Sequence, residues 1–190
     1  MTTALNRRRK LTPRQFLHNE GELVGYELVD GYLEKKSMSA HSSFLNGRAY
    51  KLITEHVDKH KLGWTFDSEC SYTCSREFPT QVRKPDVSFI RFGRFAEEVL
   101  PEGYITLVPD LVVEVISPNE RYLRLKKKLR EFIAAGVPLI WVVDSDSRVI
   151  QVHRPNQPMR ELQEDEIVSG ESILPGFAVT VAEFMPRKPN

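Results

Sequence analysis

PDLVVEVISPNERYLRLKKKLREFIAAGVPLIWVV, residues 109–143, reads as strand, turn, helix and strand. Leu111–Ile116 is rich in branched apolar residues, the composition of a buried strand. Ser117-Pro118-Asn119 ends that run and supplies helix-start chemistry, with Asn119 as the N-cap candidate. Leu125, Leu129, Phe132 and Ile133 recur at helical spacing, and Gly136 followed by Pro138 stops the helix. Leu139–Val143 is a second apolar run. A unit of this length predicts a right-handed crossover between parallel strands, and with it an α/β fold.

Glu114 interrupts the first of those strands. A carboxylate in a buried strand costs several kcal/mol unless it is paired or bound to a cation. One reading is a structural ion pair, or a strand end turned to solvent. The other is a metal ligand, which needs a second carboxylate. Asp86 is the candidate, in Lys84-Pro85-Asp86-Val87-Ser88-Phe89-Ile90, a short strand-like run. Asp110 also follows a proline, but at the mouth of its strand, where an exposed acid is ordinary.

The order of these segments carries a resemblance. Pro85-Asp86-Val87, then PDLVVEVISP, then a helix with a lysine four residues before Phe132, then Ala135-Gly136-Val137-Pro138 leading to Trp141-Val142-Val143-Asp144, resembles the Uma-type family of restriction-endonuclease-like proteins. That family is assigned to the PD-(D/E)XK superfamily. Glu27-Leu28-Val29-Asp30-Gly31 followed by His41 is similar to its amino-terminal hairpin and first helix, and Leu174-Pro175-Gly176-Phe177 to its closing segment. The likeness extends over about residues 20 to 185. It implies a mixed β-sheet core flanked by helices, with an N-terminal β-hairpin. It also implies a Mg2+- (or Mn2+-) dependent endonuclease acting on DNA.

The chemistry agrees with that implication. Phosphodiester hydrolysis needs an activated water and stabilisation of developing negative charge, and a magnesium ion held by one or two carboxylates supplies both. Asp86 and Glu114 on neighbouring strands are that pair. The resemblance adds the backbone carbonyl of Val115 as a third ligand. Two acids alone would also suit glycoside hydrolysis. A nearby lysine turns the reading towards phosphate, because an ammonium orients water and neutralises charge.

The superfamily places its lysine two residues after the strand glutamate, and here that position is Ile116. The resemblance implies that the lysine has moved to the following helix, where Lys126, Lys127 and Lys128 stand together. At about 100° per residue, Lys127 falls opposite the apolar stripe, while Lys126 and Lys128 flank it. Periodicity does not choose between those two; the family pattern chooses Lys128. Glu27 and His41 match positions in the family's amino-terminal segment and are accessory candidates, with Glu69 in reserve. Their plainer readings are a cross-hairpin ion pair for Glu27 and a local hydrogen bond for His41. Arg121, Arg124, Lys127 and Arg130 make the densest basic stretch outside the amino terminus, either a phosphate-binding surface or a solvated helix face.

Composition bounds the rest. A chain of 190 residues is one domain by length and buries a real core. The formal net charge of +1 advertises no nucleic-acid partner, so a nuclease of this composition must concentrate positive charge locally. Cys70 and Cys74 lack the further ligands of a structural zinc site and read as reduced thiols. No apolar run reaches membrane-spanning length and no signal-peptide pattern opens the chain, which predicts a cytoplasmic protein without a membrane partner.

In chain order, residues 1–19 read as a flexible basic arm carrying Arg7-Arg8-Arg9-Lys10, and 20–190 as a single nuclease-like domain. Asp30-Gly31 between Tyr26–Val29 and Tyr32–Lys35 is a hairpin signal. Ala40–His60 is an amphipathic helix, Gly63–Ser71 and Val87–Ile90 are core strands, and residues 74–84 are a loop or an edge excursion. Val149–His153 returns as a hairpin partner of the crossover's second strand. Pairing of two copies into a homodimer rests on analogy with restriction-like folds that cut two strands. The rival function is a non-catalytic nucleic-acid-binding or protein-interaction module of the same fold. A sugar hydrolase is weaker, since nothing supplies an aromatic-rich cleft.

Overall fold

The computed structural model describes residues 10–36, 39–116 and 122–187. Among these residues, ten strands and four helices form a mixed α/β domain around a six-stranded sheet of order β3-β4-β5-β6-β7-β8. These strands are β3 Gly63–Phe66, β4 Val87–Arg91, β5 Leu111–Val115, β6 Leu139–Asp144, β7 Val149–His153 and β8 Arg160–Leu162. Within this sheet only β5 and β6 run parallel, joined by helix α3 (Tyr122–Ala135). The crossover expected over 109–143 is therefore present. Its helix start at Ser117–Asn119 lies outside the described residues.

Strand alternation divides the core in two. Leu111, Val113 and Val115 of β5 face helix α2 (Ala40–His60), whose Leu45, Ala49, Ile53 and Val57 are buried against them. Strands β9 (Ile167–Ser169) and β10 (Ala178–Thr180) and helix α4 (Val181–Phe184) lie beside the same core, with Val168, Val181 and Phe184 fully buried in it. On the other face Val112, Ile140 and Val142 pack against Leu125, Leu129 and Phe132 of α3. Glu114 shares the parity of Val112 and so points towards α3. That parity sets up the site.

The amino-terminal hairpin, β1 (Tyr26–Val29) and β2 (Tyr32–Lys35), turns through Asp30 and Gly31 at φ 53° and 83°. Both lie in the left-handed region that a two-residue hairpin turn requires. Helix α1 (Pro13–His18) begins on a Thr12–Gln15 capping box and buries Phe16 completely beside Leu28 and Val82. The flexible arm expected over residues 1–19 is thus too long on its carboxyl side: residues 10–19 belong to the fold. Arg7, Arg8 and Arg9 lie outside the described residues. The strand expected over 63–71 ends at Phe66, and Glu69 follows it in a turn. Gly63 opens β3 against β4, where a Cβ would stand 2.2 Å from the Ile90 carbonyl oxygen. Among the described residues, no helix is long and apolar enough to cross a membrane.

Candidate active site

The loop at 82–86 delivers the first carboxylate. Val82 bridges to Leu28 of β1 and Arg83 to Tyr72, so this polar stretch is clamped between the hairpin and the sheet. It runs into β4, whose register with β5 pairs Val87 with Val113. One step further along that ladder sets Asp86 opposite Glu114. Asp86 Oδ2 accepts the Val115 N–H at 2.8 Å, and Oδ1 faces the Lys36 ammonium at 3.0 Å.

Glu114 is 3% exposed. Its Oε2 accepts from Lys128 Nζ at 2.7 Å, while Oε1 is buried without a hydrogen-bond partner. Burial pushes its carboxyl up to about 8; Lys128 and Lys36 oppose that rise, and Asp86 and Glu27 reinforce it. Lys128 also reaches Glu27 Oε1 at 3.0 Å and the Lys84 carbonyl at 3.4 Å. Burial would strip its proton, but Glu114, Glu27 and Asp86 outweigh burial and hold its pKa above the ordinary lysine value. It is a buried, fully charged ammonium.

Glu27, from β1, is the hub behind these groups. Its Oε1 accepts the Lys84 N–H at 2.8 Å, and its Oε2 the Arg83 guanidinium at 3.0 Å. Burial alone would raise this carboxyl, yet Lys128, Arg83, Lys36 and the Lys84 amide bring it down to about 2. Arg83 Nε in turn donates to Glu131 Oε2 at 2.6 Å, and Gln81 bridges Glu131 Oε1 to Asp30. Glu131 lies three residues after Lys128 on α3, so one helix face supplies both. The hairpin, the 81–86 loop and α3 are thereby tied by charge across a cleft of about 260 Å³, which Glu27, Asp86, Glu114, Val115 and Lys128 all line.

The structure sorts the other candidates. Arg124 and Lys127 line the cleft, with Arg124 3.7 Å from Glu34. Lys127 does not point freely into solvent as its helical phase suggests: it is half-buried and paired with Asp30 of the hairpin turn. Lys126 and Arg130 line a neighbouring groove between α3 and β7 that shares Leu123 and Lys127 with the cleft, whereas Lys128 lines the cleft itself. Arg121 lies outside the described residues. His41 donates to or accepts from Ser145 Oγ at 2.7 Å and does not line the cleft. Glu69 pairs with the buried Lys84 at 2.9 Å and does not line the cleft. Asp110 is buried rather than exposed, accepting from Arg91 and Arg94 at 2.8 Å each.

Three participants were not legible in advance: Lys36, Arg83 and Glu131. Arg83 sits in a polar, proline-containing stretch that reads as loop, and its burial comes from partners far along the chain. Lys36 follows a hairpin whose alternation is weak. Glu131 did carry a signal, its i, i+3 spacing from Lys128 on the same helix face.

Two carboxylates are what magnesium needs when it keeps most of its water shell. Among the described residues no three His, Cys, Asp or Glu side chains form a ready-made metal cage. The unpartnered Glu114 Oε1 beside Asp86 fits a hard cation, since an unpaired buried carboxylate oxygen is otherwise costly.

The fold is similar to that of a protein from Anabaena variabilis whose crystal structure is described as a "putative nuclease belonging to DUF820", with a TM-score of 0.75 at 19% identity over 92% of this chain and 97% of the other. No curated protein matches the sequence. Residues 13–182 match the Uma2 family, described as "Putative restriction endonuclease", and the chain belongs to that family.

Proposed function

We propose that this protein is a Mg2+- (or Mn2+-) dependent endonuclease that hydrolyses phosphodiester bonds of DNA. The observation that carries the reading is the unpartnered Glu114 Oε1, buried beside Asp86 and held one ammonium away from Glu27. Asp86 and Glu114 would hold the ion, with the Val115 carbonyl as third ligand. When bound, such an ion polarises the phosphate and lowers the pKa of a coordinated water. Lys128 keeps a proton-bearing ammonium in the cleft, where it neutralises negative charge at the scissile phosphate. The Val115 amide fixes the Asp86 carboxylate, and Glu27 fixes Lys128, so the reacting geometry is preorganised by neighbouring backbone and charge. Arg124 and Lys127 supply local positive charge for the flanking backbone in a chain of near-zero net charge. Two copies acting together would cut both strands of a duplex.

One observation favours a binding module without catalysis: Asp86 is already satisfied on both oxygens by Lys36 and Val115. Asp86→Asn separates the two readings. On the nuclease reading it abolishes metal-dependent cutting of plasmid and single-stranded DNA in a variant that still folds and binds DNA, with a melting temperature lowered by the loss of the Lys36 partner. DNA binding by a wild type that cuts no substrate with either metal would favour the module.

A further inference from the structure

Asp86 faces a second lysine that no mechanism above uses. Lys36 follows directly on β2, yet its side chain is only 8% exposed. An ammonium has three protons, and three oxygens surround this one: Asp86 Oδ1 at 3.0 Å, the Lys84 carbonyl at 2.8 Å and the Ser68 carbonyl at 3.2 Å. A carboxylate and two main-chain carbonyls are hard oxygen donors of the kind that suit a hard cation. Lys36 therefore already fills a cation position on Asp86 Oδ1, the carboxylate that the proposed metal shares with it.

Charge accounting sharpens this. With Glu114 ionised, as cation binding requires, Glu27, Asp86, Glu114 and Glu131 set against Lys36, Arg83 and Lys128 leave one negative charge in the cluster. A divalent cation added with Lys36 in place would leave one positive charge in a buried site. With Lys36 gone, the same ion leaves the cluster neutral. A compact ammonium on a flexible stem can leave by rotating about its own side chain.

We propose that Lys36 is the built-in occupant of the cation position at Asp86. It holds the metal-free site together, is displaced when a divalent ion binds, and then carries its charge to the cleft rim, where it meets a phosphate of the bound strand. The inference rests on the metal-dependent reading of the site. It makes metal and nucleic acid mutually reinforcing, because each supplies what the other's arrival leaves unpaired.

The test is calorimetric titration of Mn2+ into the full chain without nucleic acid, after melts confirm folding. Lys36→Gln keeps an amide donor for the two carbonyls and removes the charge; it should bind Mn2+ at least tenfold more tightly than wild type, as should Lys36→Met. Lys36→Arg, which keeps the charge, should bind no more tightly than wild type. A readout on the unmodified chain is the Lys36 ammonium resonance, protected without metal and lost to exchange at saturating Mg2+. Equal Mn2+ affinity in wild type and Lys36→Gln, or an ammonium signal unchanged by Mg2+, overturns the role of Lys36. If binding is still lost in Glu114→Gln, the metal site then stands without it. No Mn2+ binding by wild type or any Lys36 variant overturns both.

Discussion

Glu27 shows how much of this site is electrostatics arranged by neighbours. Its carboxyl ionises at about 2 in the folded protein against an ordinary value of 4.5. A depressed carboxylate contributes stability at pH above its unfolded value and loses it as pH falls through the folded one, so the window here runs from about 4.5 down to about 2. The shift corresponds to something on the order of 3 kcal/mol. Glu27→Gln should be destabilised at neutral pH, and its stability should fall less than that of wild type between pH 5 and 2.5; urea melts across that range check this. Identical acid limbs would mean that Lys128 and Arg83 do not hold the carboxylate as described. Arg83 is the complementary case. Arg83→Met leaves Glu27 and Glu131 without their shared guanidinium. Breaking a buried charge pair of this kind costs about 3–5 kcal/mol, and thermal melts should show that loss.

Among the elements, the crossover β5-α3-β6 and the hairpin do the positioning. Both were legible in the sequence, because branched apolar runs, helical periodicity and an Asp-Gly turn are local signals. Glu114 could be found the same way, as a carboxylate out of place in such a run, and Asp86 as its partner. Lys128 needed the family pattern, since periodicity left Lys126 equal to it; the structure sets Lys128 against Glu114 and Lys126 on the neighbouring groove. The long reach of strand expected after Gly63 failed because Asp67–Glu69 form a turn stabilised by the Asp67 side chain, which accepts the Glu69 N–H at 3.0 Å. Lys36 and Arg83 stayed hidden because only tertiary contacts bury them. Gly63 tests the packing of the sheet itself. A methyl there meets the Ile90 carbonyl and Arg91 Cα, backbone atoms that cannot swing aside. Gly63→Ala should destabilise the fold by about 1–3 kcal/mol or more, read from urea midpoints.

At the scale of the whole molecule, near-neutral net charge means that the proposed DNA binding would rest on a few cations around one cleft. Arg124 lines that cleft and Arg130 lines the groove beyond α3. Arg124→Ala should weaken duplex binding and reduce the slope of log affinity against log salt by about 0.9 for each phosphate that is no longer neutralised. Arg130→Ala should leave both unchanged. Fluorescence anisotropy at several salt concentrations checks the pair, and equal effects of the two variants would place the nucleic acid elsewhere.

The central claim is that Glu114 and Asp86 make a metal-dependent nuclease centre. Cleavage of supercoiled plasmid and single-stranded DNA with Mg2+ or Mn2+, comparing wild type with Glu114→Gln, tests it most directly. The account predicts metal-dependent cutting by wild type and its loss in a folded Glu114→Gln. Cutting that survives in Glu114→Gln, or no cutting by wild type on either substrate together with no metal-induced rise in melting temperature, would contradict it.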